Sequence, residues 1–335
     1  MRIAIDAMGG DYAPAQIVRG AVEGLQFLGP QDEIWLLGRE DDVRAHLPTE
    51  GGDDPRIRIH HCPEVIEMDD SPVEALRQKK NSSIMIMAKL AAERQVDAVI
   101  SAGNTGACAA ACQLKMRTLG SVQRPGIAVV LPSFHGPLTV CDVGANVAPK
   151  PHHLLQYAQM ASAYAEFILK IDHPRVALLS IGSEEVKGSP LVKLTHDKLK
   201  RDPSVNFIGN VEGRDLFSGA CDVAVCDGFV GNVVLKLTEG LAEGLFKTIA
   251  REIAAESVDL AKRFEPVVKT IWAKHDYSEH GGAPLLGVDG ICIICHGSSN
   301  ARAIKNAVRV ANQYVQSDVN RVILERLTEE ETVDA

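Results

Sequence analysis

The sequence predicts an α/β protein built on a mostly parallel sheet. Short unbroken apolar runs, such as Val223, Ala224, Val225 and Cys226, suit strands buried on both faces. Each such run is followed at once by a turn rich in Gly, Asn, Ser or Asp, and then by a helical pattern. The succession seen in DVAVCDGFVGNVVLK recurs in IAIDAMGGD, AVISAGNTG, TVCDVGAN, ALLSIGSEEVKGSP and ICIICHGSSN. In an open parallel sheet these turns gather at the carboxyl edge of the strands, where ligands bind.

Composition narrows the possible functions. With 335 residues, 46% hydrophobic and 24% charged, the chain can bury a large core. A net charge of −9 and an aromatic content of 4% argue against a nucleic-acid groove, which needs cations and stacking rings. No apolar run approaches the ~20 residues that span a bilayer, and MRIAIDAMGGD is too short in its apolar part for a signal peptide, so a cytosolic protein is expected. Cys141, Cys226, Cys292 and Cys295 lie in strand-like runs. Cys292 and Cys295 match CxxC formally, but three residues apart on a strand they face opposite sides, so no metal or redox pair is expected. His60, His61 and Cys62 read as a solvated strand end.

Taken in order, residues 2–5 read as the first strand, followed by a turn with Asp6, Gly9, Gly10 and Asp11. Pro14 opens a helix to about residue 28. Strands at 33–37 and 56–60 flank a short helix and loop. Pro72 starts a helix that ends with Arg77, Lys79 and Lys80, which are either a solvated helix end or a dock for an acidic partner or phosphate. After a helix to about residue 94 and a strand at 97–100 comes SAGNTGA. Its Asn104, Thr105 and Gly106 either offer donors to an anion or carbonyl oxygen, or form a tight capped turn.

Paired strands at 127–131 and 138–141 are expected across a loop with Pro132, Gly136 and Pro137, and DVGAN, with Asp142 and Asn146, feeds a helix at 151–170. A strand at 175–179 leads to SIGSEEVKGSP. This resembles a P-loop, but Lys187 precedes Gly188 where that motif needs Gly before Lys. Lys187 either neutralises a phosphate from a Gly-rich turn or pairs at the surface with Glu184 or Glu185. A strand at 206–208 precedes GNVEGRD. In the stretch that follows, Asp227, Gly228, Gly231 and Asn232 make a turn, and Val233 opens a helix to about residue 257. Leu241, Leu245, Ile249 and Ile253 form its apolar stripe. Phe264, Val267, Val268, Ile271 and Trp272 continue at helical spacing among Lys262, Arg263, Lys269 and Lys274, fitting a membrane surface or a hairpin against a second subunit. GGAPLLGVDGICIICHGSSNARA closes the sheet and gives His296 to Asn300, with Ser298 and Ser299, to the last turn, and the final helix ends near residue 317 or slightly beyond. A frayed acidic tail is expected at about 328–335. The whole chain, 1–335, reads as one catalytic domain with a helical hairpin at about 233–275.

HExxH, GxSxG and a dinucleotide-binding GxGxxG are absent. Donors from several turns instead suit a reaction run by positioning and electrostatics, with a small anion aligned against an electrophilic carbonyl. The motifs IAIDAMGGDYAP, SAGNTGA, DVGAN, LLSIGSEEVKG, FIGNVEGRD, CDGFVGNVVLK, GGAPLLGVDG and ICHGSSNA, in this order from residue 2 to about 312, resemble the bacterial phosphate acyltransferase family of phospholipid synthesis, the PlsX family. Two local departures are Val147, Ala148 and Pro149 after DVGAN, where an acidic residue is usual, and His280 in place of an aromatic.

The resemblance implies a three-layer α/β/α sandwich related to phosphotransacetylases and isocitrate/isopropylmalate dehydrogenases, with a projecting helical hairpin. It implies acyl transfer from an acyl-carrier-protein thioester to inorganic phosphate, without cofactor or metal. The acyl phosphate then feeds a membrane glycerol-3-phosphate acyltransferase. A homodimer and peripheral membrane association are further implications. The residues and the resemblance converge on Lys187 to hold phosphate and Asn232 to donate to the carbonyl oxygen. Asn104, Thr105, Gly106, Asp142, Asn146, Glu184, Asp227, Ser298 and Ser299 are expected around them, with Arg77, Lys79 and Lys80, or the 262–274 segment, docking the carrier. The alternatives are a phosphotransacetylase acting on acyl-CoA, a membrane-peripheral ligand-binding scaffold and, at the level of fold, a dehydrogenase.

Overall fold

The computed structural model describes residues 1–275 and 281–333. In chain order these form β1 (Arg2–Asp6), α1 (Ala15–Gly24), β2 (Glu33–Gly38), α2 (Glu40–Ala45), β3 (Ile57–His61), α3 (Pro72–Gln78), α4 (Ser83–Ala92), β4 (Ala98–Ser101) and α5 (Thr105–Met116). The middle of the chain gives β5 (Gly126–Ser133), β6 (Gly136–Cys141), α6 (Pro151–Phe167), β7 (Val176–Leu179), α7 (Pro190–Leu199), β8 (Phe207–Val211) and β9 (Val223–Val225). The remainder forms α8 (Gly228–Glu256), α9 (Val258–His275), β10 (Ala283–Leu286), β11 (Cys292–Ile294), α10 (Ala301–Ser317) and α11 (Val319–Val333). The side chain of Trp272 and all of His280 lie outside the described residues.

The eleven strands form one sheet in the order β3-β2-β1-β4-β11-β10-β5-β6-β9-β7-β8. Alternation along the strands sets the layers. On β1, Ala4 faces one core while Ile3 and Ile5 face another. On β9, Ala224 faces the first core while Val223 and Val225 face a third. Thus α4 and α5 cover one face, and α1, α10, α6 and α11 cover the other. The three-layer α/β/α expectation is met.

The sheet is not parallel throughout. Strands β1 to β4 and β11 run one way. β10 is antiparallel to both its neighbours, and β5 is antiparallel to β6. The parallel group β6, β9, β7 and β8 therefore runs opposite to the first group. A single carboxyl edge, expected from the sequence, is replaced by two. The register brings them together: Ile294 pairs with Ala283, Leu285 on the same strand pairs with Ile127, and Cys141 at the end of β6 pairs with Ala128. The carboxyl ends of β11 and β6 thus lie on neighbouring rungs, three strand spacings or about 14 Å apart, and face each other across β10 and β5.

Other boundaries differ from the sequence reading. Pro132, Gly136 and Pro137 lie within β5 and β6, not in a loop, because Ser133 pairs with Gly136 in a tight hairpin. Gly209 to Val211 extend β8, not the turn after it. α8 begins at Gly228, five residues before Val233, because Asp227 caps it by accepting from the N–H groups of Phe229 and Val230. Beyond residue 317 a further helix, α11, buries Val319, Val322, Ile323 and Leu327 against α6, with Arg326 paired to Glu166. Its backbone runs helical to Val333, where a frayed tail from about 328 is the sequence reading.

Candidate functional site

The loop after β6 is organised by Asp142, which is fully buried. One carboxylate oxygen accepts from the N–H groups of Ile127 at 3.0 Å, Gly144 at 3.1 Å and Ala145 at 3.0 Å, and the other from Asn146 N–H at 2.7 Å. Burial pushes this carboxyl up from its ordinary range, and the backbone donors pull it back. Asn146 donates from Nδ2 to Pro125 O at 2.7 Å and accepts at its carbonyl from Gly228 N–H at 2.8 Å. Two loops are so tied to the first turn of α8. A Cβ on Gly231 would stand 1.9 Å from Asp142 O, so only glycine lets helix and loop approach this closely. Asp142, Asn146 and Asp227 therefore build the site's frame.

On the opposing edge, Ser101 donates to buried Asp6 at 2.8 Å and accepts from Gly103 N–H at 3.0 Å. Asp6 is raised by burial, against hydrogen bonds from Ser83 and Ser101. Asn104 caps α5 through Ala107 N–H at 3.0 Å and donates from Nδ2 to the carbonyls of Glu67, Met68 and Asp70. Gly106 leaves room for Pro72, whose Cγ would lie 2.9 Å from an added Cβ. Asn104 and Gly106 thus position α5 and α3, while Thr105 faces the pocket.

Between the edges lies a pocket walled by Ile127, Val129, Val143, Leu235, Ala283 and Ile294. Its polar groups are Thr105, Asn232, Lys236, Glu239, His296 and Ser299. Asn232, Lys236 and Glu239 fall at i, i+4 and i+7 on one face of α8. Lys236 Nζ lies 2.6 Å from His296 Nε2 and 3.0 Å from Glu239 Oε2. His296 Nδ1 is 2.8 Å from Ser298 Oγ and 3.2 Å from Ser298 N. Ser299, nearly buried, donates its N–H to His296 O at 2.9 Å, and Asn300 caps α10. Lys236, Glu239 and His296 are absent from the sequence-predicted site. A Lys and a Glu on a long helix read as a solvated face, and their partner stands 60 residues away.

Lys187 sits on the turn after β7 and is exposed, with no ion-pair partner among the described residues. Its side chain crosses Gly182, where an added Cβ would stand 3.0 Å from Lys187 Cγ. Glu185 pairs instead with Lys200 at 2.8 Å, and the Glu184 carbonyl accepts from Asn210 Nδ2 and from Lys187 N–H, both at 3.0 Å. Lys187 does not line the pocket. It and Asn232 share an edge, because β7 and β9, which lead to them, are neighbours. At the end of α3, Lys79 is neutralised by Asp70, whereas Arg77 and Lys80 are exposed and unpaired among the described residues.

Cys292 and Cys295 do face opposite cores. Among the described residues, one group of side chains is spaced to hold a metal ion: the buried thiols of Cys108, Cys112 and Cys292, within 4.8 Å of one another. The Cys292 thiol is held well above its usual range by hydrogen bonds to Cys108 and Cys112 and by burial, so it packs as a small neutral group. Sequence spacing alone does not reveal this meeting of a strand and a helix.

With this geometry in place, likeness to known proteins becomes informative. The family described as "Fatty acid synthesis protein" matches residues 1–322. A phosphate acyltransferase of Desulfitobacterium hafniense is 50% identical over 320 residues, 95% of this chain and 95% of the relative. One from Dictyoglomus turgidum is 46% identical over 330 residues, 98% of each chain. In fold alone, a phosphotransacetylase from Streptococcus pyogenes has a TM-score of 0.64 at 17% identity, covering 95% of this chain and 94% of its own. A 4-hydroxythreonine-4-phosphate dehydrogenase from Klebsiella pneumoniae has a TM-score of 0.54 at 14% identity, covering 94% and 99%.

Proposed function

The chain belongs to the fatty acid synthesis protein family, as a phosphate acyltransferase, and on that premise we propose that it moves a fatty acyl group from acyl-acyl-carrier-protein to inorganic phosphate. The observation that carries this reading is the apolar pocket with Asn232 at its polar rim, between two opposed carboxyl edges. An acyl chain fits the apolar walls, and its thioester carbonyl then lies at the rim. Phosphate is ionised at neutral pH and attacks directly, so no acyl-enzyme is needed. Lys187 holds and orients the phosphate from the neighbouring turn. Asn232 donates to the carbonyl oxygen as negative charge develops, an interaction stronger in the transition state than in the ground state.

Arg77 and Lys80, unpaired beside α5, form the landing surface for the acidic carrier, with Lys262 and Arg263 the other candidate. The acyl phosphate then serves a membrane acyltransferase that makes phosphatidic acid, consistent with a homodimer that rests on the membrane surface. Acyl-CoA is the alternative donor, favoured by the phosphotransacetylase fold likeness.

Lys187→Ala and Asn232→Ala are each expected to lower kcat/KM for acyl phosphate formation by about 10²-fold or more, with unchanged circular dichroism. Turnover within a few-fold of the parent for both would overturn the assignment.

A further inference from the structure

We propose that Lys236 is the proton donor to the departing sulfur, positioned by His296 and Glu239. This rests on the acyl-transfer reading above and adds the half of the reaction that Lys187 and Asn232 leave unserved. HPO₄²⁻ brings one proton to the site and the carrier thiol must leave with one. When the phosphate oxygen bonds to the carbonyl carbon and the C–S bond breaks, the electron pair goes to sulfur. An alkyl thiol has a pKa of about 8.5, and an apolar pocket disfavours a bare thiolate further. A proton delivered as the bond breaks removes that penalty.

The geometry supplies a donor at the right wall. Lys236 has three N–H groups. One is taken by His296 Nε2 at 2.6 Å and one by Glu239 Oε2 at 3.0 Å. The third is left for the pocket that Lys236 lines together with Asn232. His296 accepts at Nε2 in the tautomer whose Nδ1 carries the ring proton and donates to Ser298 Oγ at 2.8 Å, in place of accepting from Ser298 N–H at 3.2 Å. Two side chains from different elements thus fix one nitrogen, one turn of helix below the proposed carbonyl donor. After the transfer, the phosphate hydroxyl proton restores Lys236, so the cycle closes without an outside acid.

The test uses octanoyl thioesters of N-acetylcysteamine, an alkyl thiol, and of 4-nitrothiophenol, whose thiolate departs without a proton. Acyl phosphate formation is followed at saturating phosphate for the parent, Lys236→Gln, Lys236→Arg and His296→Gln. With the alkyl thioester, both Lys236 variants are expected to lose about 10²-fold in kcat, because Arg keeps the charge but does not give up a proton. With the aryl thioester the loss should shrink to about fivefold or less. His296→Gln should lose less, with the same dependence on the leaving group. Equal losses with both thioesters, or parental rates for Lys236→Arg with the alkyl one, would overturn the proposal and leave the acyl-transfer reading standing. A parent chain that makes no acyl phosphate from either, nor from octanoyl acyl carrier protein, would overturn both. Lys236 is half exposed, so its variants should fold as the parent does.

Discussion

Single residues at the site do two separate jobs, and their burial tells them apart. Asp142 and Asn104 are buried and spend their oxygens on backbone N–H groups, whereas Asn232, Lys187 and Lys236 are exposed toward solvent or the pocket. A buried titratable group outside the pocket gives a pH prediction. His153 accepts from Lys150 N–H at 2.9 Å at the start of α6, and its ring meets that of His152 at 4.1 Å. Burial, and then the neighbouring charges of His152, Arg124 and Lys150, lower its pKa from 6.5 to about 4. The unfolded chain takes up this proton near its ordinary value, so between about 6.5 and 4 the unfolded state binds more protons and stability falls as pH falls. Urea unfolding should show a lower midpoint at pH 5 than at pH 7, and His153→Gln should reduce that difference. An unchanged difference in the variant would mean that His153 titrates normally in the fold.

At the scale of elements, α8 joins site to surface. Its second turn carries Asn232, its next two carry Lys236 and Glu239, and the rest leaves the core altogether: only Gly228 and Gly231 of its 29 residues are buried. Leu237 and Leu241 are each 67% exposed, and Leu245 and Ile249 continue the line. So long an apolar stripe on a single chain marks a contact surface, and the proposed homodimer is its occupant. Light scattering should give twice the 36.1 kDa chain mass, falling to the single mass on Leu241→Glu with Leu245→Glu. A parent that runs at the single mass, with a variant that loses vesicle binding, would give the stripe to lipid instead. The stripe was legible because period four on a helix is visible in any sequence. Strands were legible as apolar runs for the same reason. The start of α8 was not, since Gly228 and Gly231 resemble a turn until the backbone they abut, at Asn146 and Asp142, is known. α11 is masked in the sequence although Val319, Val322, Ile323 and Leu327 have helical spacing, because the acidic tail behind them resembles a solvated end.

The whole molecule depends on a reversal that no local pattern announces. The β5–β6 hairpin is readable from its own residues, but its consequence, that four strands run opposite to the first five, emerges only when β10 fits between β11 and β5. The turns still converge because the halves are offset along the strands as well as reversed. Hence Asn232 could be singled out from its turn, while the meeting of Lys236 with His296 depends on both edges and could not. Full-length similarity to phosphate acyltransferases stands beside an apolar pocket rimmed by Thr105, Asn232, Lys236, Glu239, His296 and Ser299.

The most direct test of the proposed reaction is release of free thiol from a long-chain acyl carrier protein, with and without inorganic phosphate, beside the same acyl group on CoA. Phosphate-dependent release with acyl phosphate as product, faster from the carrier protein than from CoA, is the expected result. Release from CoA alone would contradict the carrier-protein donor, and release that ignores phosphate would contradict the reaction itself.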